Sequence, residues 1–213
     1  MQNALTLVYQ DDKYLFWRKQ SGLASSRGQQ DSFLDEVASS WDDRRQDQVQ
    51  CFGKDEEYGL LNRLDNQTSG LLYFARTRAA RDQYLSLQST GKISKIYYAQ
   101  VYGRPRSQFG RVRDPVYHHV QLSDRMTLDA TKWRSPQQAT TYREYVEDDG
   151  EKSWLRVIIT QWVRHQIRVH LASLGCPIVG DRLYMWSRLR KRYGADIDDR
   201  SIQLVSAGVE FDI

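Results

Sequence analysis

The chain begins with an alternation. In "ALTLVYQDDKYLFWRKQSGL" apolar and polar residues alternate, break at Asp11-Asp12 and resume, which predicts a hairpin with an exit turn at Lys19 to Gly22. Phe33, Leu34, Val37 and Trp41 follow at spacings that suit a short helix, and the acid-rich stretch from Asp42 to Glu57 reads as surface loop. Leu71 to Ala75 is a continuous apolar run of strand length, the pattern of a strand buried on both faces. Thr77 is placed to cap a helix from Arg78 to about Gln88, on which Ala80, Tyr84 and Leu87 repeat at helical spacing, with Gly91 just past the end.

"KIYYAQVYG" has period two, so Lys95, Tyr97, Ala99 and Val101 share one face of a strand. Residues 103–137, punctuated by Gly103, Pro105, Gly110, Pro115 and Pro136, read as irregular connection. "QATTYREYVE" and "SWLRVIITQ" predict two strands separated by the turn "EDDG". In "VRHQIRVHLASLGCPIVGD" the residues Val163, Ile167, His170, Leu171 and Leu174 form one helical stripe, Arg164 and Arg168 sit on its flank, and Gly175 with Pro177 ends it. "SIQLVSAGVEF" predicts a closing strand pair, and neither an internal repeat nor a low-complexity tract is present.

Composition narrows the class. The 213 residues predict a single domain over 1–213, on a prior of roughly 150 residues per domain. The 31 Lys and Arg exceed the 27 Asp and Glu for a net charge of +4, and this mild excess is unevenly spread. Eight acids fall between Asp35 and Glu57, whereas Arg76, Arg78 and Arg81, then Arg104, Arg106, Arg111 and Arg113, then Arg182, Arg188, Arg190, Lys191 and Arg192 form three basic groups. Several stand near Tyr102, Tyr184, Trp186 or Tyr193, and arginine for phosphate with aromatics for bases is the composition of an RNA surface. Solvated charged faces are the plainer reading of any single cluster. Cys51 and Cys176 lie far apart in no metal-like spacing. No apolar run approaches ~18 residues and no signal-type core opens the chain, which predicts a cytoplasmic protein, expected as a monomer.

Few constellations could carry chemistry. His165 and His170 are five apart and share no helix face, so neither they nor His118 and His119 make a metal pattern. No serine sits in a G-x-S-x-G elbow, and no glycine-rich loop leads a strand into a helix. Asp65 remains, in "LNRLDNQTSGLLYFAR", within a polar turn at the head of the apolar run. Such a residue is ordinarily an Asx-turn aspartate. Two arginines point the other way: Arg63 lies close in sequence, and Arg168 could hold a carboxylate ionised and oriented, as a nucleophile or electrostatic stabiliser requires.

The ordered motifs "NRLDNQTSGLLYFA", "KIYYAQVYG", "RHQIRVHLASLGCPIVGDRLY" and "LVSAGVEF" resemble those of the RluA-type pseudouridine synthases, and the likeness runs from about Leu7 to Phe211. The resemblance implies an α+β fold with a mixed, largely antiparallel central sheet flanked by helices and loops. It implies an isomerase that converts uridine to pseudouridine in structured RNA, tRNA or rRNA, with no cofactor and no metal. By position in the motifs, Asp65 is the catalytic aspartate and Arg63 helps displace or replace the extruded base. Tyr97 packs on the target uracil, Arg168 pairs with Asp65, and Ile167 and Leu204 are apolar walls. Gly180, Asp181 and Tyr184 hold a backbone turn. The N-terminal RNA-binding module of some relatives is expected to be absent. Asn62 stands where the pattern has His, Gln20 where it has Pro, Trp162 and Val163 where many members have Gly and Arg, and Val205 where His is common. These departures motivate an alternative, a non-catalytic RNA-binding or RNA-chaperone protein of the same fold. A glycosidase would need a second carboxylate motif that the region around Asp65 does not offer.

Overall fold

The computed structural model describes residues 5–26, 32–40, 52, 54–185, 187–193 and 201–212. Two compact units emerge from the chain path. One comprises Met1–Lys92 with Val205–Ala207, the other Ile93–Leu204 with Gly208–Asp212.

In the first unit the hairpin forms as its alternation predicts, β1 (Thr6–Gln10) pairing antiparallel with β2 (Tyr14–Lys19). Asp11 closes its turn, Oδ1 accepting from the backbone N–H of Lys13 and Tyr14 at 2.8 and 2.6 Å. The apolar run becomes β3 (Ser69–Ala75), antiparallel to β2 and buried on both faces from Leu72 to Ala75. Val205 and Ser206, from strand β11 (Leu204–Phe211), run parallel beside Ser69 and Gly70. Gly70 has φ +111°, and a Cβ there would lie 2.2 Å from the Ser206 carbonyl oxygen, so no other residue fits this parallel contact. Helix α1 (Phe33–Ser40) buries Phe33, Leu34 and Val37, while Trp41, expected in the same helix, lies outside the described residues. Helix α2 (Arg78–Ser89) starts where predicted, the Thr77 hydroxyl accepting from Ala80 N at 3.1 Å.

Most of the acid-rich stretch read as loop lies outside the described residues, but Lys54–Gly59 is a 3-10 turn rather than loop. The cause is the bridge between Leu60 and Phe74, which draws the segment onto β3.

The second unit is built on the antiparallel order β4-β10-β9-β5, formed by β4 (Ile93–Tyr102), β5 (Phe109–Val112), β9 (Thr141–Asp148) and β10 (Lys152–Ile159). Strict burial alternation along β10 and most of β4 confirms the period-two reading. Residues 103–137 are more regular than expected. They supply β5 and a three-stranded sheet of β6 (Val116–His119), β7 (Met126–Thr127) and β8 (Trp133–Gln137). Strands this short contain too few alternations to register as a period. Their anchors are Val116 and Met126, packed with Ala139, Val163, Val169, Ala172 and Tyr184.

Helix α3 (Gln166–Ser173) is buried from Gln166 to Ala172, so it is enclosed rather than striped. Leu174, assigned to the stripe, is exposed, and Arg168, assigned to the flank, is buried. Leu174 is the C-cap, past the last helical residue, and Arg168 has a carboxylate partner that lets a charged side of the helix enter the interior. The closing segment is the single strand β11 and not a pair, with Gly208 inside it. Helix α4 (Ser187–Tyr193) exposes Arg190, Lys191 and Arg192.

Candidate active site

In the first unit, Asp65 lies in the turn that feeds β3, and the turn is fixed from three sides. The Thr68 N–H donates to the Asp65 carbonyl at 3.0 Å. Ser25 Oγ accepts from Leu64 N at 2.9 Å and donates to Leu64 O at 2.8 Å. Lys19, fully buried at the end of β2, donates from Nζ to the carbonyls of Gln20, Leu23 and Asn66 at 2.9, 2.8 and 3.1 Å. Burial pulls the Lys19 ammonium down to about 8, and the negative charge of Asp65 opposes that pull. The Asp65 side chain itself is half-buried, which leaves it accessible on a backbone that is held.

Asn62 is buried and bonded along β3. Its Oδ1 accepts from Tyr73 N at 2.7 Å and its Nδ2 donates to Leu71 O at 3.2 Å, so a buried amide stands in for a strand partner along β3. Next to it, Arg63 is exposed and pairs with Glu57 at 3.0 Å, an ion pair weak enough to exchange for another partner. Arg63 and Asp65 are thus carried by one short segment, one solvated and one half-buried. In the same turn Thr68 Oγ1 is buried and has no hydrogen-bond partner among the described residues.

The remaining expected site residues belong to the second unit. Tyr97 lies on the buried face of β4, between Lys95 and Ala99. Ile167 and Arg168 are in the first turn of α3, and Leu204 opens β11, all buried. Arg168, 3% exposed, is gripped by Asp181: Nε to Oδ2 at 2.7 Å and Nη2 to Oδ1 at 2.9 Å. Its guanidinium also stacks over Tyr184, 5.2 Å from the ring centre. Asp181 Oδ1 further accepts from the N–H groups of Leu183 and Tyr184 at 3.1 and 3.3 Å, so it does hold the backbone turn assigned to it and orients the arginine besides. The Tyr184 hydroxyl accepts from Met126 N at 2.9 Å and stands 2.8 Å from His165 Nδ1. His165, in the left-handed region at φ 55°, precedes the helix.

His170 sits in the core, as its place on the stripe implied. Its Nε2 is 2.9 Å from the Asp114 carbonyl, which can only accept, so Nε2 carries the proton and Nδ1 accepts from Thr141 Oγ1 at 2.8 Å. Burial lowers its pKa, in keeping with a neutral ring. No group of three or more His, Cys, Asp or Glu side chains that could hold a metal occurs among the described residues. No described helix is long and apolar enough to cross a membrane.

Three side chains escaped sequence reasoning. Asp181 as the holder of Arg168 was hidden because the partners are 13 residues apart across a helix end. Lys19 reads as a turn residue, and only the fold collects three carbonyls around it. Lys95 shares the face of Tyr97 as its period predicts, yet its Nζ proves buried and, among the described residues, without a hydrogen-bond partner.

Residues 13–173 match the RNA pseudouridylate synthase family. The chain is 30% identical over 181 residues to the dual-specificity RNA pseudouridine synthase RluA of Vibrio vulnificus, covering 84% of this chain and 68% of that one. It is 35% identical over 129 residues to ribosomal large subunit pseudouridine synthase D of Blochmanniella floridana, covering 61% of this chain and 39% of that one. Among the first curated relatives it matches, the chain spans between 38% and 55% of their length. The solved structure of human RNA pseudouridylate synthase domain containing 1 superposes with a TM-score of 0.71 at 19% identity, over 98% of this chain and 79% of that one, a likeness of fold.

Proposed function

The chain belongs to the RNA pseudouridylate synthase family, and from that premise we propose that it isomerises uridine to pseudouridine in structured RNA, with Asp65 as the catalytic carboxylate. The observation that carries this reading is the Asp65 turn, a half-buried carboxylate on a backbone pinned by Lys19 and Ser25, inside the span that matches the family. The reaction breaks the bond from N1 to C1′, turns the uracil and rejoins it through C5. The proton lost from C5 is balanced by one gained at N1, so no atom enters or leaves.

Such a reaction needs the base out of its stack, a site shielded from water and one oriented carboxylate. Asp65 either adds to C6 of the ring or assists departure at C1′, and both routes require it ionised. Arg168 serves as its cationic partner in this proposal, and the grip of Asp181 on Nε and Nη2 supports an arginine that arrives pre-oriented. Arg63, exposed and loosely paired, fills the place of the extruded base. Tyr97 packs on the uracil, with Ile167 and Leu204 as apolar walls. These roles rest on position in the motifs.

In this proposal the substrate is rRNA, the class in the name of one relative, or tRNA, which the motif resemblance implies, and the exposed arginines of the basic groups meet its phosphates. Binding therefore weakens as salt rises. The test is to incubate the purified chain with unmodified tRNA and rRNA transcripts and map pseudouridine. Wild type introduces it and Asp65→Asn does not. Equal modification by Asp65→Asn would refute the assignment, and RNA binding without modification by wild type would favour the non-catalytic RNA-binding alternative.

A further inference from the structure

Lys95 is out of keeping with its surroundings. It occupies an inward position of β4 between Ile93 and Tyr97 and is 3% exposed. Among the described residues its ammonium has no hydrogen-bond acceptor. What it has is Trp162, with Nζ 4.2 Å from the ring centre, close enough for a cation–π contact. A buried cation with three unmet donors lowers stability, and a methionine of similar shape would remove that cost. Folding therefore does not account for a lysine here.

Trp162 is a large aromatic left 38% exposed, in the stretch between β10 and α3 that belongs to no strand or helix. Because Nζ is buried, the exposed part of the indole is not the part that covers the ammonium. Lys95 opposes Ile159 on β10, three residues before Trp162, so a short tether carries the cover. Tyr97 is two residues from Lys95 on the same face, about 7 Å along the strand.

We propose that Lys95 and Trp162 form a closed RNA-contact subsite beside Tyr97: in the free protein the indole covers the ammonium, and in the complex it stacks on a base flanking the target uridine while Lys95 donates to a phosphodiester oxygen. This rests on the reading of the chain as an enzyme acting on RNA. A phosphodiester is the fitting ligand because it supplies several acceptor oxygens and a negative charge to a group lacking both, whereas a base carbonyl would satisfy one donor and leave the charge uncompensated. The cation and the aromatic ring together reproduce the two contacts by which proteins hold single-stranded nucleic acid, charge for the backbone and stacking for the base.

The experiment measures binding of an unmodified tRNA transcript pool and of large-subunit rRNA fragments across a series of salt concentrations, for wild type, Lys95→Met and Trp162→Gly. Each charge contact to phosphate contributes about one to the slope of log affinity against log salt, so Lys95→Met lowers the slope by about one. Trp162→Gly keeps the wild-type slope, since the lysine remains, and loses about tenfold in affinity with the stacked base. Thermal melts guard against misfolding, because Lys95→Met is expected to melt at or above the wild-type temperature. An unchanged slope in Lys95→Met overturns the proposal, and so does an unchanged affinity in Trp162→Gly. Weaker binding of Lys95→Met with no change in slope assigns the lysine to a base and overturns the phosphate assignment. If wild type neither binds nor modifies these RNAs, the functional reading fails and takes the subsite with it. If it modifies them with identical slopes, the subsite alone is lost.

Discussion

Two buried lysines with the same displaced pKa are expected to respond to the same substitution in opposite directions. Burial brings both Lys19 and Lys95 down from 10.5 to about 8. For Lys95 that drop corresponds to about 3 kcal/mol by which the folded state disfavours the charged form. The folded pKa lies below the unfolded one, so between pH 8 and 10.5 the unfolded chain holds more protons. The penalty is present in full below pH 8 and is relieved as pH rises toward 10.5. The Trp162 ring returns part of it, so Lys95→Met at pH 7 should be more stable than wild type by about 1–3 kcal/mol, an advantage that narrows across this window. Lys19→Met relieves a similar penalty but strips the donors from three carbonyls, those of Gln20, Leu23 and Asn66. Hydrogen bonds to a charged donor contribute about 1.5–3 kcal/mol each, so the loss wins and this variant falls by roughly 2–5 kcal/mol. Urea unfolding of the three proteins at intervals from pH 7 to pH 10.5 measures both effects. A Lys95→Met protein less stable than wild type at pH 7, or an advantage that ignores pH, would refute the reasoning.

Three further outcomes follow from the same contacts. Asp181→Ala leaves a buried guanidinium without its carboxylate and should cost about 3–5 kcal/mol in denaturant melts, with Asp181→Asn losing less because its amide oxygen still accepts. Asn62→Ala removes the acceptor for Tyr73 N and the donor to Leu71 O, a loss of about 2 kcal/mol that the same melts would record. The lowered pKa of His170 contributes stability that is present in full above pH 6.5, declines below that value as the unfolded chain takes up the proton first, and is lost as pH falls through the lower folded value. A His170→Gln variant should therefore show a shallower decline in melting temperature between pH 7 and pH 5.

Asp65 shows how far a local reading reaches. Its turn, its strand and its neighbour Arg63 were all legible, because turn chemistry and strand burial are encoded within a few residues. The groups that make the turn rigid were not: Lys19 arrives from 47 positions away to bond Asn66, and Ser25 from 39 to bond Leu64. Arg168 marks the same boundary from the other side. As a charge on a helix it read as solvated flank, and a single carboxylate at Asp181 reverses that by making burial tolerable.

By itself the sequence determined the hairpin, β3, α2, β4, β9 and β10, since period, caps and turn residues act over distances shorter than the elements they specify. It also carried the motifs by which the family is known. Only the tertiary structure decided that residues 103–137 form strands, that α3 is enclosed on all sides, and which buried polar groups are satisfied. The physical reason is that desolvation is collective. Whether a lysine rests among three carbonyls or lies under an indole depends on what the rest of the chain brings to it, and no window of sequence contains that information.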